Sequence, residues 1–398
     1  MSRERILLTD ADDRATLAAA RALVAAGYDV HVVAGARLSL AGASRSVRSH
    51  VVTQNALEDA PGFVREVGHV ADRVGAGVLL PMTDQSVQAM LQYRSLLPAN
   101  VRMPLPDLAI YEAASDKIAL LELAEAAGFA TPPSLVLESA DDPIPAIPES
   151  WFPVVLKPHR SLVLDGGRHC KVGVALVDRR DQLSESLRAF PEGAFPILLQ
   201  QRVEGVGEGF FALRWGGRPI AAFAHRRLRD KPPAGGVSVY RESIALDEAM
   251  FDSGLRLLDA LNWRGVAMIE CKRDRNTGRH VIMEVNGRFW GSLQLAIDAG
   301  IDFPTLLVRC ALGQDPRTQS SYRIGVRSRW FWGDVDHLYL RLTRSPAALH
   351  LGNGHRSRLR ALIEFFQFRP GRDHSEIWRW RDPAPFLVET LRRLRLAR

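Results

Sequence analysis

The 398-residue chain is 46% hydrophobic and 24% charged, an ordinary globular composition that is long enough for two or three domains with a buried core. Its net charge is +7, but residues 323–398 hold 16 arginines, no lysine and seven acids, a local +9 that leaves the rest at −2. This excludes a general nucleic-acid-binding reading from overall basicity and confines any anionic partner surface to the C-terminal region.

Three scattered cysteines, Cys170, Cys271 and Cys310, match neither a disulfide framework nor a zinc spacing, which points to a reducing, cytoplasmic setting. The chain opens on a strand pattern without a signal-peptide pattern. Its most apolar stretch, 17–36, is broken by Arg21, Asp29 and His31, so no transmembrane segment is expected.

The first hundred residues alternate between strand and helix patterns. An apolar strand at 6–9 leads to a helix at 14–26 that stops at Gly27, suited to the left-handed conformation past a helix end. Strands follow at 28–33, 50–53 and 77–81, with helices at 61–74 and after Thr83, an N-cap residue type. This order predicts a small parallel α/β sheet. The first turn reads Thr9-Asp10-Ala11-Asp12-Asp13 where a dinucleotide site would have glycines; carboxylates there would repel a pyrophosphate. Asp84 follows a strand end where open α/β sheets bind ligands, and it equally suits a helix first turn.

The pattern loosens at 104–111, a domain boundary. Ser115 is the expected cap of a helix at 116–127 ended by Gly128. Lys117 in its first turn opposes the helix dipole, which a bound phosphate would offset. After a proline-rich stretch at 141–153, a strand at 153–157 ends on Lys157, a cation delivered into a cleft by a buried strand. The loop 159–171 holds Arg160, Gly166, Gly167, Arg168 and Lys171 and leads into a strand at 172–177, a basic hairpin able to fold over phosphates.

A strand at 197–203 precedes the glycine-rich 204–209, read as a tight turn before strands at 210–214 and 218–224 joined by Gly216-Gly217. The basic stretch 225–236, with Arg227, Arg229, Lys231 and Gly236, reads as a loop suited to a carboxylate or phosphate. A helix at 246–261 leads to strands at 266–272 and 280–286 around Asn276-Thr277-Gly278. If Arg275 and Arg279 close that loop, Glu270 lies opposite Glu284, with Asn286 on the same face. Opposed carboxylates destabilise a sheet by about 0.2–1 kcal/mol. A divalent cation reverses that sign, and two carboxylates with an amide suit Mg²⁺. Arg288, two residues on, can meet a phosphate with its planar fork. The competing reading is a solvated hairpin face.

A helix at 305–312 and a polar linker at 313–321 lead to the arginine-rich tail. Its Trp330, Trp332, Trp378 and Trp380 suit packing better than a nucleic-acid platform. The final stretch, 385–398, reads as an amphipathic helix that could dock on the body, a second subunit or anionic lipid.

Two lysines before a hairpin, a linking strand, then a carboxylate–carboxylate–asparagine set: this order resembles the ATP-grasp superfamily, nearest its carbamoyl-phosphate-synthetase-like and biotin-carboxylase-like members. The resemblance implies α/β and α+β architecture. A parallel α/β pre-ATP-grasp domain (1–112) would precede a two-lobed ATP-grasp fold (113–318, smaller lobe about 113–200, larger about 201–318) and a basic C-terminal region (319–398). It implies that Lys117 and Lys157 grip nucleotide phosphates, and that the strand holding Gln200, Gln201 and Val203 holds adenine through its backbone. It further implies that Glu208, with Glu204 as alternative, binds ribose. Glu270, Glu284 and Asn286 would ligate Mg²⁺ (or Mn²⁺), and Arg288 would steady the transferring phosphate. The loop 159–171 departs from the superfamily's Gly/Ser-rich pattern, which leaves the phosphate-contacting residues there open. The implied activity is ATP-dependent activation of a carboxylate as an acyl phosphate, then amide formation with an amine. The rivals are a carboxylase or kinase of the same superfamily and a non-catalytic nucleotide-binding protein. The partners expected are small-molecule acid and amine substrates and, as often in the superfamily, a second subunit.

Overall fold

A computed structural model describes residues 3–144, 146–351 and 356–396. The N-terminal strands β1 (Arg5–Leu8), β2 (Asp29–Ala34), β3 (Ser49–Val52) and β4 (Val78–Leu80) form a parallel sheet in the order β3-β2-β1-β4. Helices α1 (Arg14–Ala25), α2 (Ala60–Val74) and α3 (Asp84–Gln92) alternate with them. Asp13 caps α1 by accepting from the Ala15 N–H, and Gly75 ends α2 in the left-handed conformation. The acids of the first turn serve the fold: Asp10 accepts from Thr9 and Ser86, and Asp12 pairs with Arg392.

Helices α4 (Leu108–Ser115) and α5 (Lys117–Ala127) lead into the smaller lobe. Helix α4 occupies the stretch where the sequence pattern loosens. The cap of α5 is Asp116, whose carboxylate accepts from Ile118 and Ala119; Ser115 closes α4 instead. The smaller lobe is the sheet of β5 (Ser134–Leu137), β6 (Val154–Pro158), β9 (Ala175–Val177) and β10 (Ile197–Gln201), in the order β5-β10-β6-β9, with the hairpin β7 (Leu162–Asp165) and β8 (Arg168–Lys171) and helix α6 (Leu183–Arg188). It buries its own core, including Leu156, Val177, Leu187 and Ile197.

The larger lobe is built on β11 (Gly205–Trp215), β12 (Arg218–Lys231), β13 (Val237–Ser243), helix α7 (Glu248–Ala260), β14 (Gly265–Asp274), β15 (His280–Asn286), α8 (Leu293–Ala299) and α9 (Phe303–Ala311). Most of two segments expected as a turn and a loop is strand, over 205–209 and 225–231. β11 pairs with β14 from Gly205 to Arg214, and those ladder bonds override the glycines' preference for turns. Gly216 and Gly217 both take positive φ, which a two-residue turn requires.

The C-terminal region is not a free tail. β16 (Arg327–Arg329) and β17 (Asp373–Ser375) extend the large sheet to seven strands, β15-β14-β11-β12-β13-β16-β17. Helix α10 (Phe331–Thr343) packs on β12 and β13, α11 (Arg358–Phe366) packs on α10, and α12 (Ala384–Leu396) ends the described chain. Ala397 and Arg398 of the expected last helix lie outside the described residues. Many tail arginines are consumed internally: Arg327 by Glu242, Arg329 by Asp334, Arg379 by Asp298 and Arg393 by Asp336.

One core spans the N-terminal domain and the larger lobe, joining Leu17, Ala18 and Leu23 of α1 to Trp290, Leu293, Phe303 and Leu307. This shared apolar interior fixes the N-terminal domain against the β14–β15 wall and so sets the geometry of the cleft between them.

Candidate active site

The β14–β15 hairpin carries the central pair. The loop closes at Asp274 and Arg279, one residue off the expected closure, with Asp274 N–H donating to Arg279 C=O at 2.9 Å. Cys271 then faces Ile282, and a bulge restores the expected register, so Glu270 faces Glu284 and Met268 faces Asn286. Met283 is the extra residue of that bulge. Asn286 Nδ2 donates to Glu284 Oε1 at 2.8 Å, and Arg227 pairs with Glu270. Burial raises the Glu270 carboxyl, and Glu284 and Asp230 push the same way, against Arg227 and Lys157. Gly287 follows because the backbone there lies on Trp263; an added Cβ would come 2.4 Å from that ring.

A cleft of about 820 Å³ opens on this pair. The smaller lobe contributes Lys117, Lys157 and Lys171; the connection contributes Gln200, Gln201 and Val203; the larger lobe contributes Arg227, Gly236, Glu270, Lys272, Glu284, Asn286 and Arg288. Lys117 is only 8% exposed and donates to Ser161 Oγ at 3.0 Å. Burial lowers its pKa against the pull of Glu284 and Asp84. Lys157 is lowered to about 8, by burial first and by Lys117 and Lys272, while Glu284 and Glu270 oppose the fall. The smaller lobe's lysines therefore lie within electrostatic reach of the larger lobe's carboxylates.

Arg288 is held from the N-terminal domain. Its Nε and Nη2 donate to the two oxygens of Asp84 at 3.0 and 2.9 Å, and Nη2 also donates to Asn286 Oδ1 at 3.0 Å. Tyr111 OH donates to Asp84 at 3.2 Å. Burial would raise the Asp84 carboxyl, but the Arg288 charge and hydrogen bonds outweigh it and hold it below the usual range. Burial likewise opposes the Arg288 charge, and Asp84 more than compensates.

Four sequence-derived candidates lie elsewhere. Glu208 does not line the cleft; it is 6% exposed and hydrogen-bonded at 2.9 Å to His280 Nε2. It sits in the strand β11 rather than in a turn, and alternation puts Gly207 on the cleft side instead. Glu204 lines a neighbouring cavity with Trp151 and Arg202. Arg229 forks onto Asp334 and Lys231 pairs with Asp336, both toward α10. The register of β12 against β13 shifts at Arg227/Arg229 and again at Arg229/Asp230. A bulge reverses the face of the residues beyond it, so Asp230 joins Arg227 in the cleft and Arg229 turns away. Val203 reaches the cleft, but its carbonyl already accepts from Lys272 Nζ at 3.0 Å.

Lys272, His225 and Asp230 are cleft residues that the sequence reading missed. Lys272 had a signal: it is two residues from Glu270 on the same strand face. His225 likewise alternates with Arg227. Asp230 had none, because the bulge that turns it inward leaves no mark in the pattern.

Among the described residues no cluster of three or more His, Cys, Asp or Glu side chains forms an all-protein metal cage. Glu270, Glu284 and the Asn286 amide instead match a hard cation that keeps waters and takes substrate phosphate oxygens.

Residues 196–331 match the family described as "ATP-grasp in the biosynthetic pathway with Ter operon". No curated protein matches the chain. Among solved structures the chain is similar to an L-amino acid ligase from Bacillus licheniformis, at 18% identity over 79% of this chain and 76% of that one, TM-score 0.59. It is similar to a biotin carboxylase from Campylobacter jejuni in a β,γ-ATP complex, at 16% over 82% and 74%, TM-score 0.63. It is also similar to an N5-carboxyaminoimidazole synthetase from Staphylococcus aureus, at 13% over 82% and 83%, TM-score 0.61. Residues 196–331 thus carry the match to an ATP-grasp family, and across most of the chain the likeness to these structures is one of fold.

Proposed function

We propose that the chain is an ATP-dependent ligase that activates a carboxylate by phosphoryl transfer and joins it to an amine, releasing ADP and phosphate. The observation that carries this reading is Glu270 facing Glu284 beside Asn286, with Lys117 and Lys157 across the cleft. A divalent cation held by Glu270, Glu284 and Asn286 would neutralise charge on the phosphoryl oxygens. Lys117 and Lys157 supply further positive charge from the opposite lobe, and Arg288, oriented by Asp84, adds donors of fixed direction. A carboxylate oxygen of the acid takes the γ-phosphoryl as ADP leaves. The amine nitrogen then attacks the acyl carbon, phosphate departs with the C–O bond, and the nitrogen loses a proton. No side-chain nucleophile is needed, and the β7–β8 hairpin beside Lys171 is the element suited to cover the phosphates from water.

The test is ADP release across a panel of carboxylic acids crossed with amines, in Mg²⁺. Release that needs both an acid and an amine, and that needs far more Mg²⁺ in Glu284→Gln, is expected. ATP binding without turnover across the panel would overturn the reading, and release driven by bicarbonate alone would replace it with a carboxylase.

A further inference from the structure

Among the described residues, α11 is the only helix of eight or more residues without a buried side chain. Leu359, Ile363 and Phe366 are 67%, 52% and 73% exposed, and Leu362 is exposed beside them. At about 100° per residue these four fall within an arc of about 100°. The opposite arc faces the protein: Phe365 packs near Phe331 at 6.4 Å between ring centroids, and Arg329 lies over its ring at 4.1 Å. The apolar stripe is thus turned to solvent, and exposed Phe368 extends it beyond the helix end. Arg358 and Arg360 stand at its two edges. From 356 to 372 the chain has five arginines and a single acid, Glu364, which is paired with Arg356 and Arg360.

We propose that α11 is a membrane-docking element that seats this chain on the surface of an anionic phospholipid bilayer. Leu359, Leu362, Ile363, Phe366 and Phe368 enter the boundary between headgroups and acyl chains. The flanking arginines meet the lipid phosphates at the same depth. Charge chooses this occupant over a second copy of the chain, because a symmetric copy would bring the same arginine cluster onto its own image. Anchoring is peripheral: no helix among the described residues is long and apolar enough to cross a membrane.

The test is flotation of the full chain with vesicles of phosphatidylcholine alone and with about one-third phosphatidylglycerol. Binding to the anionic vesicles, several-fold weaker at high salt, is expected, since each arginine near such a surface contributes on the order of fivefold. The triple substitution Leu359→Ser, Ile363→Ser, Phe366→Ser should lower partitioning at least tenfold. Because those side chains are exposed, its thermal midpoint should match the parent's. Arg358→Gln with Arg360→Gln should weaken binding to anionic vesicles alone. Failure of the parent chain to float at low salt would overturn the proposal, as would equal binding by the triple variant. A concentration-dependent dimer that the triple variant dissolves would also overturn it, giving the stripe to a second subunit, and salt-sensitive binding to an acidic protein without flotation would give it to that partner.

Discussion

Arg288 of the larger lobe and Asp84 of the N-terminal domain, 204 positions apart, meet in a two-pronged ion pair at the edge of the cleft. The pair fixes the guanidinium plane and aims Nη2 at Asn286, so the N-terminal domain orients a cleft-lining arginine of another domain. Asp84→Asn keeps the shape and removes the charge. Turnover is expected to fall about tenfold or more, with a smaller change in the KM for ATP, because orientation matters most in the transition state. Arg288→Ala leaves a half-buried carboxylate and the Tyr111 hydroxyl without their cation. It should cost about 1–3 kcal/mol in urea unfolding as well as activity. Unchanged kcat in Asp84→Asn would remove the positioning role.

Glu284→Gln separates the metal role from the fold. The substitution keeps a hydrogen-bonding group beside Asn286 and removes one of two opposed charges. Without metal the variant relieves an opposed pair worth about 0.2–1 kcal/mol. It also removes the carboxylate charge that Lys117 and Lys157 face, so the two effects offset and its urea midpoint should stay near the parent's. Its apparent Mg²⁺ requirement should rise about 10–100-fold. Titration of ATP turnover against free Mg²⁺ reads this directly; an unshifted curve would place the cation elsewhere.

The patterns of 1–112 and 265–286 were legible because turn residues bound each apolar run, even where β1, β2 and β14 pair on both sides. The Glu270–Glu284 pairing came out right through two compensating departures, the shifted loop closure and the bulge at Met283. The face of Arg229 and Lys231 was not legible, because a bulge in β12 leaves no mark in the residue pattern. Glu208 was misplaced because a run of glycines suggests a turn, whereas its ladder with β14 is a tertiary contact. The Asp84–Arg288 pair depends on how two domains pack, and the surplus of tail arginines on acids far away in sequence. Neither is encoded in local spacing.

Glu376 is the buried junction of three regions. One oxygen accepts from Arg14 at 2.7 Å and pairs with Arg241, whose side chain is fully buried, and Arg14 also lies over the Trp330 ring at 3.9 Å. Removing this acid leaves Arg241 buried without its counter-charge and Arg14 with only the weaker influence of Glu389, the costly way to break a buried network. Glu376→Gln should lose about 3–5 kcal/mol in denaturant unfolding. Arg14→Met should lose less, because Arg241 keeps its partner. Equal costs for the two variants would contradict the assignment of Glu376 as the shared counter-charge.

Lys157 carries a stability cost that the proposed function explains. Its ammonium is depressed from 10.5 to about 8, chiefly by burial. Below pH 8 the lysine is charged in both folded and unfolded chains, and the folded chain bears the full penalty. Between pH 8 and 10.5 the unfolded chain holds the proton that the folded chain has released, so stability rises with pH, and above 10.5 the penalty is gone. The depression corresponds to roughly 3 kcal/mol at about 1.4 kcal/mol per tenfold in proton affinity. Lys157→Met is therefore expected to be more stable than the parent at pH 7 by about 2–3 kcal/mol, with the difference closing as pH approaches 10.5. The same variant should lose ATP affinity at neutral pH, since the cation facing Glu284 is absent. In the parent the KM for ATP should climb above about pH 8 as Lys157 deprotonates. Lys157→Arg, which stays charged, should flatten that climb. A parent KM that is level from pH 7 to 9.5 would show that Lys157 does not hold the nucleotide, whatever its effect on stability.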